Sequence, residues 1–291
     1  PLIGIGDDAA LWRPTAGHGA LETTDLLVEE VHFSRRWATW YEVGWKAIAV
    51  NVSDVAAMGG QPRAAFISAG LRTDMSQSEL LELYRGLADC SAEYGVAILG
   101  GDTVASPAAA VINVALYAET LDDSAAVLRR DAAKPGDAVG VSGPLGASAA
   151  YLRAQDPAFR AAHLHPEPRV ELGQRLLRAG VRCAMDVSDG LLADLGKLCA
   201  ASSAGAVVRA AAVPIASAVV EKLPQDALRL ALTGGEDYEL LVCGPENVLT
   251  RCGLTIIGEV IAGPGVHVLD AAGQPLSFPH AGYDAFIGEG C

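Results

Sequence analysis

Residues 65–120 most restrict what this chain can fold into, because four patterned stretches nearly fill them: AFISAGLR, SQSELLELYRGLADCSAEYG, VAILGG and VINVALYAET. The second repeats its apolar residues at helical spacing and stops at Gly95, whereas the others are short and apolar, as strands are. Strands interleaved with an amphipathic helix specify an α/β arrangement. The alternation continues further along. AMDVS, AVVRAA and YELLVCG read as strands, with a further strand pair around IIGEVIAG; ASAAYLRAQ, PRVELGQRLLRAG, GLLADLGKLCAASSAG and IASAVVEKL read as helices. Between the two series, RRDAAKPGDAVGVSG carries the turn Pro135-Gly136-Asp137. At roughly 150 residues per domain, the 291 residues divide into two domains, 1–130 and 131–291, each large enough to bury a core.

Charge narrows the partners. A formal net charge of −14 argues against nucleic acid, whose phosphates are met by Lys and Arg. No apolar run approaches the roughly 18 residues of a membrane span, and no secretory signal is visible. The sequence begins with Pro1, so the natural N-terminus is expected further upstream. Cys90, Cys183, Cys199, Cys243, Cys252 and Cys291 form no CxxC pair and no zinc spacing with His; they are expected to be reduced, buried thiols of a cytoplasmic protein. His163 and His165 in HLHPEPR have the look of a metal pair, but Pro166 and Pro168 favour a helix entrance.

The acids are placed unusually. Asp7 and Asp8 (GIGDDAA), Asp25 (TTD), Asp54 (NVSD), Asp102 (GGDT), Asp186 and Asp189 (DVSDG) and Glu236-Asp237 (TGGED) follow apolar segments, at apparent strand ends or helix starts. Any one of them would serve as a helix cap or turn residue. As a set they need neutralising, since a buried carboxylate is costly unless paired or bound to metal. None of the lysines, Lys46, Lys134, Lys197 and Lys222, adjoins a motif, so metal is the better expectation. Carboxylates with Thr hydroxyls select Mg²⁺ or Ca²⁺. There is no compact EF-hand loop, and ligands spread along the chain suit Mg²⁺, which completes its shell with water and substrate phosphate.

Nucleotide chemistry follows from that choice of ion. Neither a Walker A sequence nor a kinase HRD and DFG set is present. The run GVSGPLGA, residues 140–147, is either a phosphate cradle at a helix start or a tight turn. Without a P-loop lysine, ATP has to be neutralised mainly by several metal ions. NVSD before VAAMG echoes DVSD before GLLADLG, either by chance or because two related halves each set a Ser-Asp pair at the head of a helix.

Nine motifs in order, GIGDDAA, TTDLLVEEVHF, GWKAIAVNVSDVAAMG, ILGGDT, RRDAAKPGD, HLHPEPR, DVSDGLLADLG, TGGEDYEL and GYDAF, resemble the thiamine-monophosphate kinase family of the AIR-synthase (PurM-like) superfamily across residues 4–286. The short helical segment that usually precedes GIGDD in the family is not in this sequence. The resemblance implies a two-domain α/β PurM-like fold, whose N-terminal domains pair their mixed sheets in a homodimer, with active sites between domains. It implies direct in-line transfer of the ATP γ-phosphoryl group to thiamine monophosphate, giving thiamine diphosphate with Mg²⁺. By motif, Asp8, Thr23, Thr24, Asp25, Asp54, Asp102, Asp186 and Asp189 would be metal ligands. Gly101, Asp102, Arg130 and Ser188 would touch ATP, with Tyr84 a neighbour. His32 and Glu236 would touch thiamine monophosphate. Asp54, Asp102 and Arg130 would carry the catalysis, although Arg130 also suits a linker salt bridge. One position departs from the family: His280 stands where an aromatic residue often stacks on the thiamine, three before the GYD tyrosine, with Phe278 close by.

The chemistry is consistent with these roles. A phosphate monoester is largely ionised near neutral pH and needs no strong base; the obstacle is repulsion between two polyanions, which bridging cations remove. Two other readings share some motifs: an ATP-dependent ligase such as an aminoimidazole ribonucleotide synthetase, and a non-catalytic nucleotide- and metal-binding protein. HLHPEPR with TGGEDYEL favours the kinase. A selenophosphate synthetase needs a reactive Cys near the N-terminus, and the first here is Cys90.

Overall fold

A computed structural model describes residues 13–124 and 126–283. The chain divides into two compact units. The first takes the residues up to Val55, Gly60–Ala126 and Leu164–Val170; the second takes Ala56–Gly59, Val127–His163 and the residues from Glu171 onward.

The first unit contains β1 (Ala20–Val28), α1 (Trp40–Ala57), β2 (Gln61–Arg72), α2 (Gln77–Glu93), β3 (Ala97–Ser106) and β4 (Val111–Glu119). Its mixed sheet has the order β1-β4-β2-β3; β4 runs antiparallel to β1 and β2, and β3 parallel to β2. A parallel neighbour needs a crossover, and α2 supplies it. This helix starts where the sequence signals it, at a capping box in which Ser76 Oγ accepts the Glu79 N–H and Glu79 accepts the Ser76 N–H at 2.8 Å. Period-2 alternation assigns Leu27, Ile67, Ile112 and Val114 to the face under α1 and α2, where they are buried with Ile48, Val52, Leu83 and Leu87. The two helices touch backbone to backbone. A Cβ on Gly86 would lie 1.9 Å from the Tyr41 carbonyl oxygen, and one on Gly44 2.2 Å from that of Leu83. The opposite face of the sheet carries Leu26, Phe66 and Val104, respectively 48%, 38% and 57% exposed.

The second unit contains β5 (Ala138–Val141), α3 (Ala147–Ala154), α4 (Pro157–Leu164), α5 (Val170–Arg178), β6 (Cys183–Asp186), α6 (Leu191–Ala201), β7 (Gly205–Arg209), α7 (Ser217–Lys222), α8 (Ala227–Thr233), β8 (Leu240–Gly244), α9 (Glu246–Arg251), β9 (Thr255–Ile261), β10 (Gly265–Leu269) and β11 (Pro275–Leu276). Its sheet has the order β11-β10-β7-β9-β5-β8-β6. The strands are fully apolar where they are central, as in Leu240–Gly244, and their side chains pack with Leu191, Leu195 and Leu198 of α6 in one core. The described cysteines are all buried and unpaired.

Candidate active site

In the first unit, Thr23 and Asp25 sit two residues apart on β1 and face α1, which brings Asp54 to them. The Thr23 hydroxyl donates to Asp54 Oδ2 at 2.5 Å. Burial, and then the charge of Asp54, push Asp25 up to about 6. Two carboxylates and a hydroxyl form a donor set of hard oxygen atoms, which a divalent cation of the Mg²⁺ type suits. Thr24 and Asp102 are on the opposite face of the same sheet. Thr24 Oγ1 accepts a hydrogen bond from Asn113 Nδ2 at 2.8 Å, and exposed Asp102 is in register with Ser68. The sheet therefore gathers Thr23, Asp25 and Asp54 and parts them from Thr24 and Asp102.

Gly101 is required by close approach: φ is +153°, and a Cβ would fall 1.8 Å from the Ile67 carbonyl oxygen. Tyr84, on α2, reaches Thr103 Oγ1 at 3.0 Å. His32 lies in the turn after β1, where its Nδ1 accepts the Val28 N–H at 3.1 Å and its carbonyl accepts from the buried Lys46 ammonium at 3.3 Å. GIGDDAA, and Asp8 with it, lies outside the described residues.

Sequence position misplaced three of these acids. Asp25 and Asp102 are inside strands, not at strand ends, and Asp54 is in the last turn of α1, not at a helix head. The echo between NVSD and DVSD is one of letters only, because DVSD runs from the end of β6 into the turn before α6.

In the second unit that turn is built around Asp194. Its Oδ2 accepts the N–H groups of Ser188, Asp189 and Gly190 at 3.0, 3.0 and 3.1 Å. Its Oδ1 accepts from Lys197 Nζ at 2.8 Å, and the same ammonium contacts Asp189. Burial raises the pKa of Asp194, and Lys197 opposes the rise. A lysine thus does pair with a motif acid; it comes from two helical turns further on, where sequence adjacency does not reveal it. Three converging amides would suit a phosphate, but the chain's own carboxylate fills them.

The start of α3 behaves the same way. Gly146 and Ser148 donate their N–H groups to Asp237 at 2.7 and 3.3 Å, so the chain's own carboxylate takes these two amides where GVSGPLGA enters α3. Burial pushes Asp237 up to about 7 against these bonds, with Glu239 and Glu236 adding to the rise.

Glu236 adopts φ +64° and donates its N–H to the Ser188 carbonyl at 2.7 Å. Tyr283 donates to the Asp189 carbonyl at 2.8 Å, and Ala193 to that of Ala281 at 3.1 Å, so the segment with His280 runs along the DVSDG turn. Ser188, Asp189 and Glu236 therefore meet at this turn, with buried Asp186 ending β6 just before it and His280 on the segment alongside. Phe278 packs against the core. Arg130 is exposed, with its carbonyl accepting from Ser202 Oγ at 3.0 Å; the salt bridge of this linker belongs to Arg129 and Asp131.

Among the described residues, no three His, Cys, Asp or Glu side chains converge as a closed metal cage. Asp194 was missed from sequence, although an acid in the first turn of a helix behind Ser-Asp-Gly is its signal.

Residues 6–119 match the AIR synthase related protein N-terminal domain, and residues 134–270 its C-terminal domain. The chain is 38% identical over 253 residues to a thiamine-monophosphate kinase of Bacillus subtilis, a match spanning 82% of this chain and 76% of that one. The crystal structure of a thiamine-monophosphate kinase from Stenotrophomonas maltophilia superposes with a TM-score of 0.84 at 37% identity, over 94% of this chain and 92% of the other. A structure described as AaThiL complexed with AMPPCP and TMP gives 0.82 at 32% identity, over 94% and 89%.

Proposed function

Because the chain belongs to the thiamine-monophosphate kinases of the AIR synthase related family, we propose that its two acidic assemblies serve one reaction, ATP-dependent phosphorylation of thiamine monophosphate to thiamine diphosphate. The observation that carries this reading is the Thr23, Asp25 and Asp54 cluster, an anionic oxygen site in which Asp25 is raised to about 6 by burial and its neighbour's charge. It calls for a cation in a chain of net charge −14. The ATP analogue named in the AaThiL complex supports ATP as donor.

In this reading Mg²⁺ is held by Thr23, Asp25 and Asp54 in the first unit and by Asp186 and Asp189 in the second, with Asp8, Thr24 and Asp102 as further ligands. When bound, the ions supply the positive charge that screens triphosphate from acceptor phosphate. Asp54 and Asp102 orient this charge, Arg130 adds a guanidinium for the transferring phosphoryl group, and Gly101, Ser188 and Tyr84 contact ATP. His32, Glu236 and His280 hold thiamine monophosphate. The acceptor is already ionised, so no side chain needs to remove a proton, which is compatible with the direct in-line transfer that the family resemblance implies.

The Leu26, Phe66 and Val104 face supports a homodimer formed through the first unit's sheet, since several large apolar side chains exposed on one sheet face are the kind of patch that a second copy can cover. The described cysteines, buried and unpaired, support a reducing, cytoplasmic setting. No helix among the described residues is long and apolar enough to cross a membrane.

The test is incubation with ATP, Mg²⁺ and thiamine monophosphate. Thiamine diphosphate and ADP are expected in equal amounts; failure to form them, with ATP hydrolysis triggered instead by formylglycinamidine ribonucleotide, would overturn the reading. Asp54→Asn should lower turnover by orders of magnitude while the thermal midpoint stays close to wild type. Near-normal turnover removes Asp54 from the site.

A further inference from the structure

We propose that His163 is a positioning residue that aims the Glu236 carboxylate at the acceptor substrate; the proposal rests on the reading of Glu236 as a thiamine monophosphate contact. His163 closes α4 and is 1% exposed. Its Nδ1 lies 2.9 Å from Ser148 Oγ and 3.2 Å from Glu236 Oε2. Serine, histidine and acid in contact resemble a nucleophilic triad, but the geometry excludes a relay. A relay uses the two ring nitrogens for different partners, and here both oxygens meet Nδ1. Ser148 is also fully buried. An ionised carboxylate only accepts, so Nδ1 carries the proton and shares it between the two oxygens.

The rest of the loop is fastened through its backbone and through one side-chain carboxylate. The Glu236 N–H is bound to the Ser188 carbonyl, and Asp237 is bound to the amides that open α3. Glu236 and Tyr238 both hold left-handed φ values, +64° and +52°, which non-glycine residues adopt only where the surroundings enforce them. These contacts fix where the chain runs, whereas the His163 contact bears on where the carboxylate points. The imidazole is itself seated: Tyr151 lies 5.6 Å away at 31°, and its hydroxyl accepts from Arg160 at 2.9 Å. Glu236 remains 21% exposed at its side chain, compatible with one edge facing a ligand. HLHPEPR thereby acquires a role beyond a helix entrance.

Two substitutions separate positioning from mere packing. An Asn side-chain amide falls where Nδ1 sits, and a Gln amide falls where Nε2 sits, while both remove the ring. His163→Gln is expected to raise KM for thiamine monophosphate about tenfold, with kcat and KM for ATP within about twofold of wild type, the signature of lost acceptor binding. His163→Asn is expected to restore KM to within about twofold, with both variants melting alike. Equal KM values in both variants, or kcat and KM changing together with the melting temperature, would overturn the proposal. If His163→Gln does not fold, Ser148→Ala replaces it: the loss of one of the two oxygens that fix the imidazole should raise the same KM severalfold, and an unchanged KM overturns the proposal. Glu236→Gln distinguishes the underlying reading. If it leaves KM for thiamine monophosphate unchanged, the acceptor role of Glu236 is what fails, and the proposal falls with it.

Discussion

Asp237 shows how one side chain can tie stability to pH. It accepts two amides at the start of α3, yet burial with two neighbouring acids pushes it from 3.8 to about 7. Between those values the folded chain keeps a proton that the unfolded chain has released, so this group's contribution to stability falls as pH rises from about 4 to about 7. Unfolding of wild type and Asp237→Asn by urea across that range should show their stability difference drifting against wild type with rising pH, then levelling above about 7. A difference independent of pH would remove Asp237 as the titrating group. Sequence did flag TGGED as an acidic motif, because the residue types are local. It did not reveal that Asp237 points inward as a cap while Glu236, one residue earlier, is the member turned toward His163, because that split depends on a left-handed φ at Glu236 and on partners almost a hundred residues away.

The Ser188–Gly190 turn is the element on which the second unit's donors depend. Three of its amides converge on one oxygen of Asp194, which is fully buried inside α6. Asp194→Ala leaves these donors without an acceptor and should cost at least about 3 kcal/mol in urea unfolding. Asp194→Asn keeps an oxygen but loses the Lys197 pair, and should cost less. Indifference to both would show that the turn holds its shape without Asp194. At this scale the helices α2, α3, α5, α6 and α7 and most of the strands are legible from pattern, whereas α1, apolar on most of its faces, is not separated from the NVSD motif near its end. The short helices α4, α8 and α9, at eight, seven and six residues, are not read from pattern; helices this short owe their form to packing. Strand β1 was not separated from the TTD motif it carries, since its exposed face is polar at Glu22 and Thr24.

For the whole molecule, the open face of the first unit's sheet makes the sharpest claim. Phe66 and Val104 project from it at positions where alternation leaves them without a core to enter. For the proposed dimer, replacing both with Asp should leave a monomer in light scattering at micromolar concentration without unfolding the protein, because neither side chain is buried in the fold. A dimer that survives the change would move the interface elsewhere. The sequence by itself determined the α/β class, the family and the identity of the acidic motifs, because patterning and short-range residue types suffice for those. Only the tertiary structure decided which acids meet: Thr23, Asp25 and Asp54 on one face of a sheet and Asp102 on the other, Lys197 against Asp189, and the amides of two helix starts filled by Asp194 and Asp237. Such pairings follow from register, helix phase and burial, and those are set by contacts between segments far apart in the chain.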